Sequence, residues 1–158
     1  MSRAFVNEDS CVDSLPDRPV SEHPNLATEP GLVLIGEALE AARRDYAAAQ
    51  AASDRERLAS AGRDLRYWSA RRATAQPRTP VPSSDVVQFG HSVTIARDDG
   101  RRQTFRIVGE DEADPAKGSI SYVSPLARAL LGKEVGDVVV VNGAEVEVTG
   151  VRRGPPSP

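Results

Sequence analysis

The chain has 158 residues, 39% of them apolar and 27% charged, a length for one or two small domains and a composition ordinary for a soluble protein. Three Phe, three Tyr and one Trp mean that any core is built from Val, Leu, Ile and Ala. One cysteine, Cys11, excludes an internal disulfide framework and fits a reducing compartment, and two histidines, His23 and His91, exclude a Cys/His metal cluster. No apolar run has the length of a membrane span and no basic, apolar leader opens the chain, so a cytoplasmic location and no membrane partner are expected. The net charge of −3 is spread unevenly: residues 1–30 hold six acids and two bases, 31–76 six acids and eight arginines, 77–158 eleven acids and ten bases. No segment is basic enough for tight binding of nucleic acid through its phosphates, which leaves a protein partner as the expectation.

Residues 1–30 are polar, with scattered prolines and no periodicity, and read as a disordered tail. Residues 31–76 read differently. Leu32, Ile35, Leu39, Ala42, Tyr46 and Ala49 recur at alternating spacings of three and four, as do Leu58, Ala61, Leu65, Trp68, Arg72 and Ala75. This is a coiled-coil pattern. The two series mirror one another, Leu32 against Ala75, Leu39 against Trp68 and Ala49 against Leu58, as an antiparallel helical hairpin bent between Ser53 and Asp54 would pair them. A single long helix is the alternative, since no Gly or Pro marks the bend, but its apolar seam would stay exposed. Arg72 interrupts the seam and would lay its aliphatic stem along Ile35. At the bend, Asp54 and Glu56 are the candidate acids for a shared cation such as Mg²⁺. The competing reading makes Ser53-x-x-Glu56 a capping box for the second helix, with Arg55 and Arg57 weakening any metal affinity.

Residues 77–84, rich in proline, read as an extended linker, and 154–158 as a frayed tail. Between them lies a domain over 85–153. Ser92–Ala96 alternates as a strand, Asp98-Asp99-Gly100 turns it into Gln103–Val108, and Asn142-Gly143 joins Val138–Val141 to Ala144–Val151 through a type I′ turn. The four valines of 138–141 read as a buried strand. A short helix precedes them, with Ser124 as its cap, Pro125 in its first position and Gly132 to end it. His91 reads as a surface turn residue, and Asp111, Glu112 and Asp114 as a solvated acidic loop rather than a cation site. No Ser/His/Asp or Cys/His constellation and no phosphate loop is present. The fold class is α+β: a helical hairpin followed by a small antiparallel sheet with one helix.

Residues Ser121-x-x-Ser124-Pro125-Leu126-Ala127-x-Ala129-Leu130-Leu131 with Gly136-Asp137, preceded by Phe105-Arg106-Ile107-Val108-Gly109 and Asp111-Glu112-Ala113-Asp114, resemble the C-terminal domain of the bacterial GreA/GreB transcript-cleavage factors. The resemblance spans Val87 to Val151. It implies a domain like that of the FK506-binding proteins, and prolyl isomerase activity does not follow, because only Phe89, Phe105 and Tyr122 are available to line a pocket. It also implies an RNA polymerase-binding elongation factor whose hairpin enters the polymerase secondary channel. Such a factor has no catalysis of its own and meets nucleic acid only through the polymerase complex. On this resemblance Ser121, Ser124, Pro125, Leu126, Ala127, Arg128 and Leu130 are the candidate polymerase-binding residues. No resident cofactor is implied, and any Mg²⁺ would be shared with the polymerase active site. A monomer is expected. The family's tip pattern Asp-Leu-x-Glu-Asn is absent; Asp64-Leu65-Arg66 echoes its start, but in mid-arm and with Tyr67 in place of the glutamate. Each arm of about twenty residues, roughly 30 Å long, is also short for the family. The alternatives are a non-cleaving competitor, as in the short-hairpin regulators of nucleoside diphosphate kinase, a protein–protein adaptor on a reused fold, or a residual isomerase.

Overall fold

The computed structural model describes residues 15–81 and 84–155. The chain divides into two compact units, one of Val33–Thr74 with the described part of residues 1–22, the other of His23–Leu32 with the described part of 75–158.

The first unit is the helical hairpin. Helix α1 runs Glu29–Ala51, its first turn belonging to the other unit, and α2 runs Arg55–Thr74. The alternating spacing does what it predicts: Ile35, Leu39, Ala42, Ala49 and Ala61 are buried, and Tyr46 lies beside Gly62 on the opposite helix. Arg72 is exposed, and its neighbour Arg71 is buried. The bend is closed without glycine. Ser53 takes φ 50°, the Asp54 N–H donates to the Ala49 carbonyl at 3.0 Å and the Ser53 N–H to that of Gln50 at 3.2 Å. That pair of bonds satisfies carbonyls that the end of a helix otherwise leaves open.

In the same unit, residues 15–18 lie along α2. Asp17 pairs with Arg66 at 2.5 Å, Arg18 with Asp64 at 3.1 Å, and the Arg18 guanidinium sits 3.8 Å above the Tyr67 ring. The tail expected over 1–30 is thus engaged in its described part, through charge and cation–π contacts that apolar periodicity does not reveal; residues 1–14 lie outside the described residues.

The second unit is the sheet domain. Strands β1 (Leu26–Ala27) and β2 (Gln76–Pro77) form a two-rung parallel ladder. The main sheet contains β3 (His91–Arg97), β4 (Arg102–Val108), β5 (Ser119–Ser121), β6 (Val138–Val141) and β7 (Ala144–Arg153), in the order β5-β4-β3-β7-β6. It is antiparallel except where the three-residue edge strand β5 runs parallel to β4. The β6–β7 turn has positive φ at both Asn142 and Gly143, 52° and 78°, as the type I′ geometry requires. One face of the sheet carries Val93, Ile95, Ile107, Val146 and Val148 and packs against helix α3 (Pro125–Leu130) through Ala127 and Leu130. The valine run is a correction: Val139 is buried, but Val138 and Val140 are exposed. As the outer strand of the sheet, β6 has only one covered face, so its side chains alternate. Pro77 of the expected linker is in β2, the Val81 N–H donates to Gln88 at 3.0 Å, and Pro82 and Ser83 lie outside the described residues. At the other end Gly154 accepts from the Ser92 hydroxyl at 2.6 Å, and residues 156–158 lie outside the described residues.

Candidate functional site: the α3 face and the hairpin tip

The signature segment folds as its residues dictate. Ser124, extended at φ −63° and ψ 151°, accepts from the Ala127 N–H at 3.3 Å, Pro125 follows in the first turn, and Gly132 leaves the helix at φ 83°. The Ser121 hydroxyl accepts from the Val123 N–H at 3.2 Å, so both signature serines shape the backbone. After the helix, Gly132 N–H donates to the Val87 carbonyl at 2.9 Å and Val87 N–H to that of Lys133 at 2.8 Å, which ties the helix end to the core.

The seven candidate docking residues separate into two groups. Ala127 and Leu130 are fully buried and hold the helix against the sheet. Pro125 and Arg128 are exposed, and Ser121, Ser124 and Leu126 are half-buried. Ser124, Pro125 and Leu126 line an apolar groove of about 310 Å³ together with Ile120, Val141 and Asn142. Arg97 also borders it. Sequence reasoning missed Arg97 and Asn142: one reads as a strand end, the other as a turn, and only the fold brings them beside α3. No aromatic side chain lines the groove. Phe89 and Tyr122 instead meet edge to face, 5.8 Å between ring centres, and the Tyr122 hydroxyl donates to the Pro24 carbonyl.

The loop expected to be solvated is engaged. The Glu112 carboxylate accepts from the Thr28 N–H, the Thr28 hydroxyl and, at 3.4 Å, the Gly109 N–H. Asp114 is 4.0 Å from Lys117. No cluster of three or more possible metal ligands occurs among the described residues. His91 is a further correction, being 1% exposed. Its Nδ1 accepts from the Gln88 N–H at 3.1 Å. Burial holds its pKa below the ordinary imidazole value, with the Arg153 charge acting in the same direction and the Val86 backbone opposing.

At the hairpin tip, the cap of α2 is Asp54 rather than the expected Ser53 with Glu56. The Asp54 carboxylate accepts from the Arg57 N–H at 3.1 Å and its carbonyl from Leu58 at 2.9 Å. Ser53 cannot serve, because its left-handed backbone already closes α1. Glu56 stands exposed in the first turn of α2.

Residues 82–153 match the family described as "Transcription elongation factor, GreA/GreB, C-term". The transcription elongation factor GreB of Neisseria meningitidis serogroup B is 42% identical over 93 residues, 58% of this chain and 57% of that protein. The GreA of Desulfovibrio desulfuricans is 42% identical over 108 residues, 67% of this chain and 65% of that protein. The chain spans less than two thirds of the length of either relative. The solved GreA factor homolog 1 of Thermus thermophilus aligns with 82% of this chain and 99% of its own at 21% identity, with a TM-score of 0.40. Residues 82–153, which carry the Ser124-Pro125 helix, are thus similar to the C-terminal domain of the GreA/GreB elongation factors.

Proposed function

We propose that this chain binds RNA polymerase as an elongation factor, presents its helical hairpin at the secondary channel, and modulates elongation or backtracking. The observation that carries this reading is a GreA/GreB-type domain over residues 82–153 in a chain that also holds an antiparallel helical hairpin. Docking falls to the face around α3, where Pro125 and Arg128 are exposed beside the apolar groove at Leu126. An apolar floor with a charged rim suits a protein partner, whose apolar side chains fill the floor while polar groups pair at the edge.

The tip supports occupation of the channel without stimulation of cleavage. Two-metal phosphodiester chemistry needs carboxylates held to within about half an ångström. Asp54 is committed to capping α2, Glu56 is exposed, and Arg55 and Arg57 flank them. With 20 residues, α2 is also only about 30 Å long. The resulting role is that of a competitor of cleavage-stimulating relatives, and any Mg²⁺ at the tip would belong to the polymerase.

Two measurements on the full chain test this. Core RNA polymerase should retain the wild type in a pull-down and lose Leu126→Asp, circular dichroism confirming that the variant folds. Failure of the folded wild type to bind would sink the reading and leave an adaptor with another partner. On a backtracked complex with Mg²⁺, the wild type should leave the RNA intact and slow its cleavage by an authentic factor. Rapid shortening by wild type, lost in Asp54→Ala/Glu56→Ala, would show that these two acids do work at the active site.

A further inference from the structure

Within the sheet unit lies a second cavity, of about 230 Å³, away from the α3 groove in its lining. Thr28, Glu29, Arg78, Thr79, Arg106 and Arg153 are among the residues around it. Three arginines and one glutamate thus line it, and none of the three arginines forms an ion pair among the described residues. Arg78 has a single long side-chain contact, 3.5 Å to Gln76. The Nε of Arg106 is buried and has no hydrogen-bond partner. A buried donor without an acceptor is costly, and like charges gathered round one cavity repel. The repulsion is relieved by one kind of guest, an oxyanion with several acceptor oxygens. Arg106 is held there by β4 and Arg153 by the end of β7, so these two arginines come from the framework of the sheet. Thr79, which also lines the cavity, has a hydroxyl donor to offer, and the first turn of α1 adds its partial positive charge.

We propose that this cavity binds a phosphoryl oxyanion, as free phosphate or pyrophosphate. Its volume is below the ~300–1,000 Å³ of pockets that enclose drug-sized ligands. No aromatic side chain lines it to stack a base. One or two phosphoryl groups therefore fit its chemistry, and a nucleoside finds no recognition there. Planar guanidinium forks engage phosphate through paired N–H donors, which three lysines would not reproduce.

The test uses the full chain at fixed pH and ionic strength. Thermal unfolding is followed with sodium phosphate, sodium pyrophosphate or sodium chloride, and ³¹P line widths report binding directly. Phosphate or pyrophosphate should raise Tm saturably and broaden the ³¹P signal, and chloride should do neither. Arg78→Gln/Arg153→Gln, two exposed positions whose loss spares the core, should weaken binding by about ten-fold or more, the scale of one charge-assisted hydrogen bond. Arg106→Gln should do the same, and Arg106→Lys should only partly restore it. A short RNA with a 5′-phosphate, compared with its 5′-hydroxyl twin, separates a free ligand from a polymer end. Equal Tm shifts in chloride and phosphate, unchanged affinity in the double variant, or binding of the 5′-phosphorylated RNA without binding of pyrophosphate would each overturn the proposal.

Discussion

The Glu112 carboxylate and Thr28, 84 positions apart in the chain, share two hydrogen bonds, one from the Thr28 N–H at 3.1 Å and one from its hydroxyl at 2.5 Å. The same Thr28 oxygen accepts from the Gly31 N–H at 3.2 Å, so one acid of the loop after β4 organises the first turn of α1. Truncation in Glu112→Ala removes the acceptor from Thr28 and from Gly109. The expected cost is about 1–3 kcal/mol in urea unfolding, the penalty for leaving buried donors unmade. Glu112→Gln, which keeps an acceptor, should cost less; equal losses would mean that the loop is held by something else.

Gly109 lies against backbone, which cannot move aside. A Cβ there would come within 2.2 Å of the Leu26 carbonyl oxygen. Gly109→Ala should therefore destabilise by about 1–3 kcal/mol or more, as overpacking does. Gly36, inside α1, has nothing within 4 Å of the same position, and Gly36→Ala should stabilise by about 0.5–1 kcal/mol. Opposite signs for two Gly→Ala changes are the expected readout of chemical denaturation.

Ser53 holds a left-handed backbone at φ 50°. A side chain there costs about 1–2 kcal/mol that glycine avoids. Ser53→Gly should raise Tm, while Ser53→Val should lower it. If Ser53→Gly lowered it, the bend would adopt another conformation in solution.

His91 makes stability depend on pH. Burial first, then the Arg153 charge, lowers its pKa in the folded chain, while the unfolded chain protonates near the ordinary value of about 6.5. The unfolded state thus binds more protons between those two values, and stability must fall as pH drops through about 6.5 toward the folded value. Protonating Nδ1 would also break its bond from Gln88. Tm should be level above about pH 7.5 and decline toward pH 5. His91→Asn should start lower and lose most of that slope; an unchanged slope would assign the effect to carboxylates.

Local signals were legible where a residue type and a backbone need coincide. Ser124-Pro125 opens α3, Asn142-Gly143 turns β6 into β7, and the spacing from Ile35 to Ala49 buries one face of α1. What was not legible depends on distant partners. Asn25, Ala27 and Thr28 look like tail residues until the sheet unit covers them. Glu112 looks solvated until Thr28 meets it, and His91 until burial encloses it. In the α3 site, the motif marks the helix but does not separate Ala127 and Leu130, which face the core, from Pro125 and Arg128, which face solvent. Only the packing of the helix on the sheet divides them.

The ladder of Leu26 with Gln76 and Ala27 with Pro77 is parallel, so the chain between its strands has to return to the starting end before it can pair. A tight turn cannot make that return; a crossover of a dozen or more residues is needed. Here the crossover is the whole pair of helices, one going out and one coming back. Its entry and exit are fixed side by side while its length is not. Excising one heptad from each arm, residues matched across the bend, would keep the seam in phase and leave the ladder untouched. The arms are in this sense a telescoping insertion, adjustable in seven-residue steps on an unchanged base.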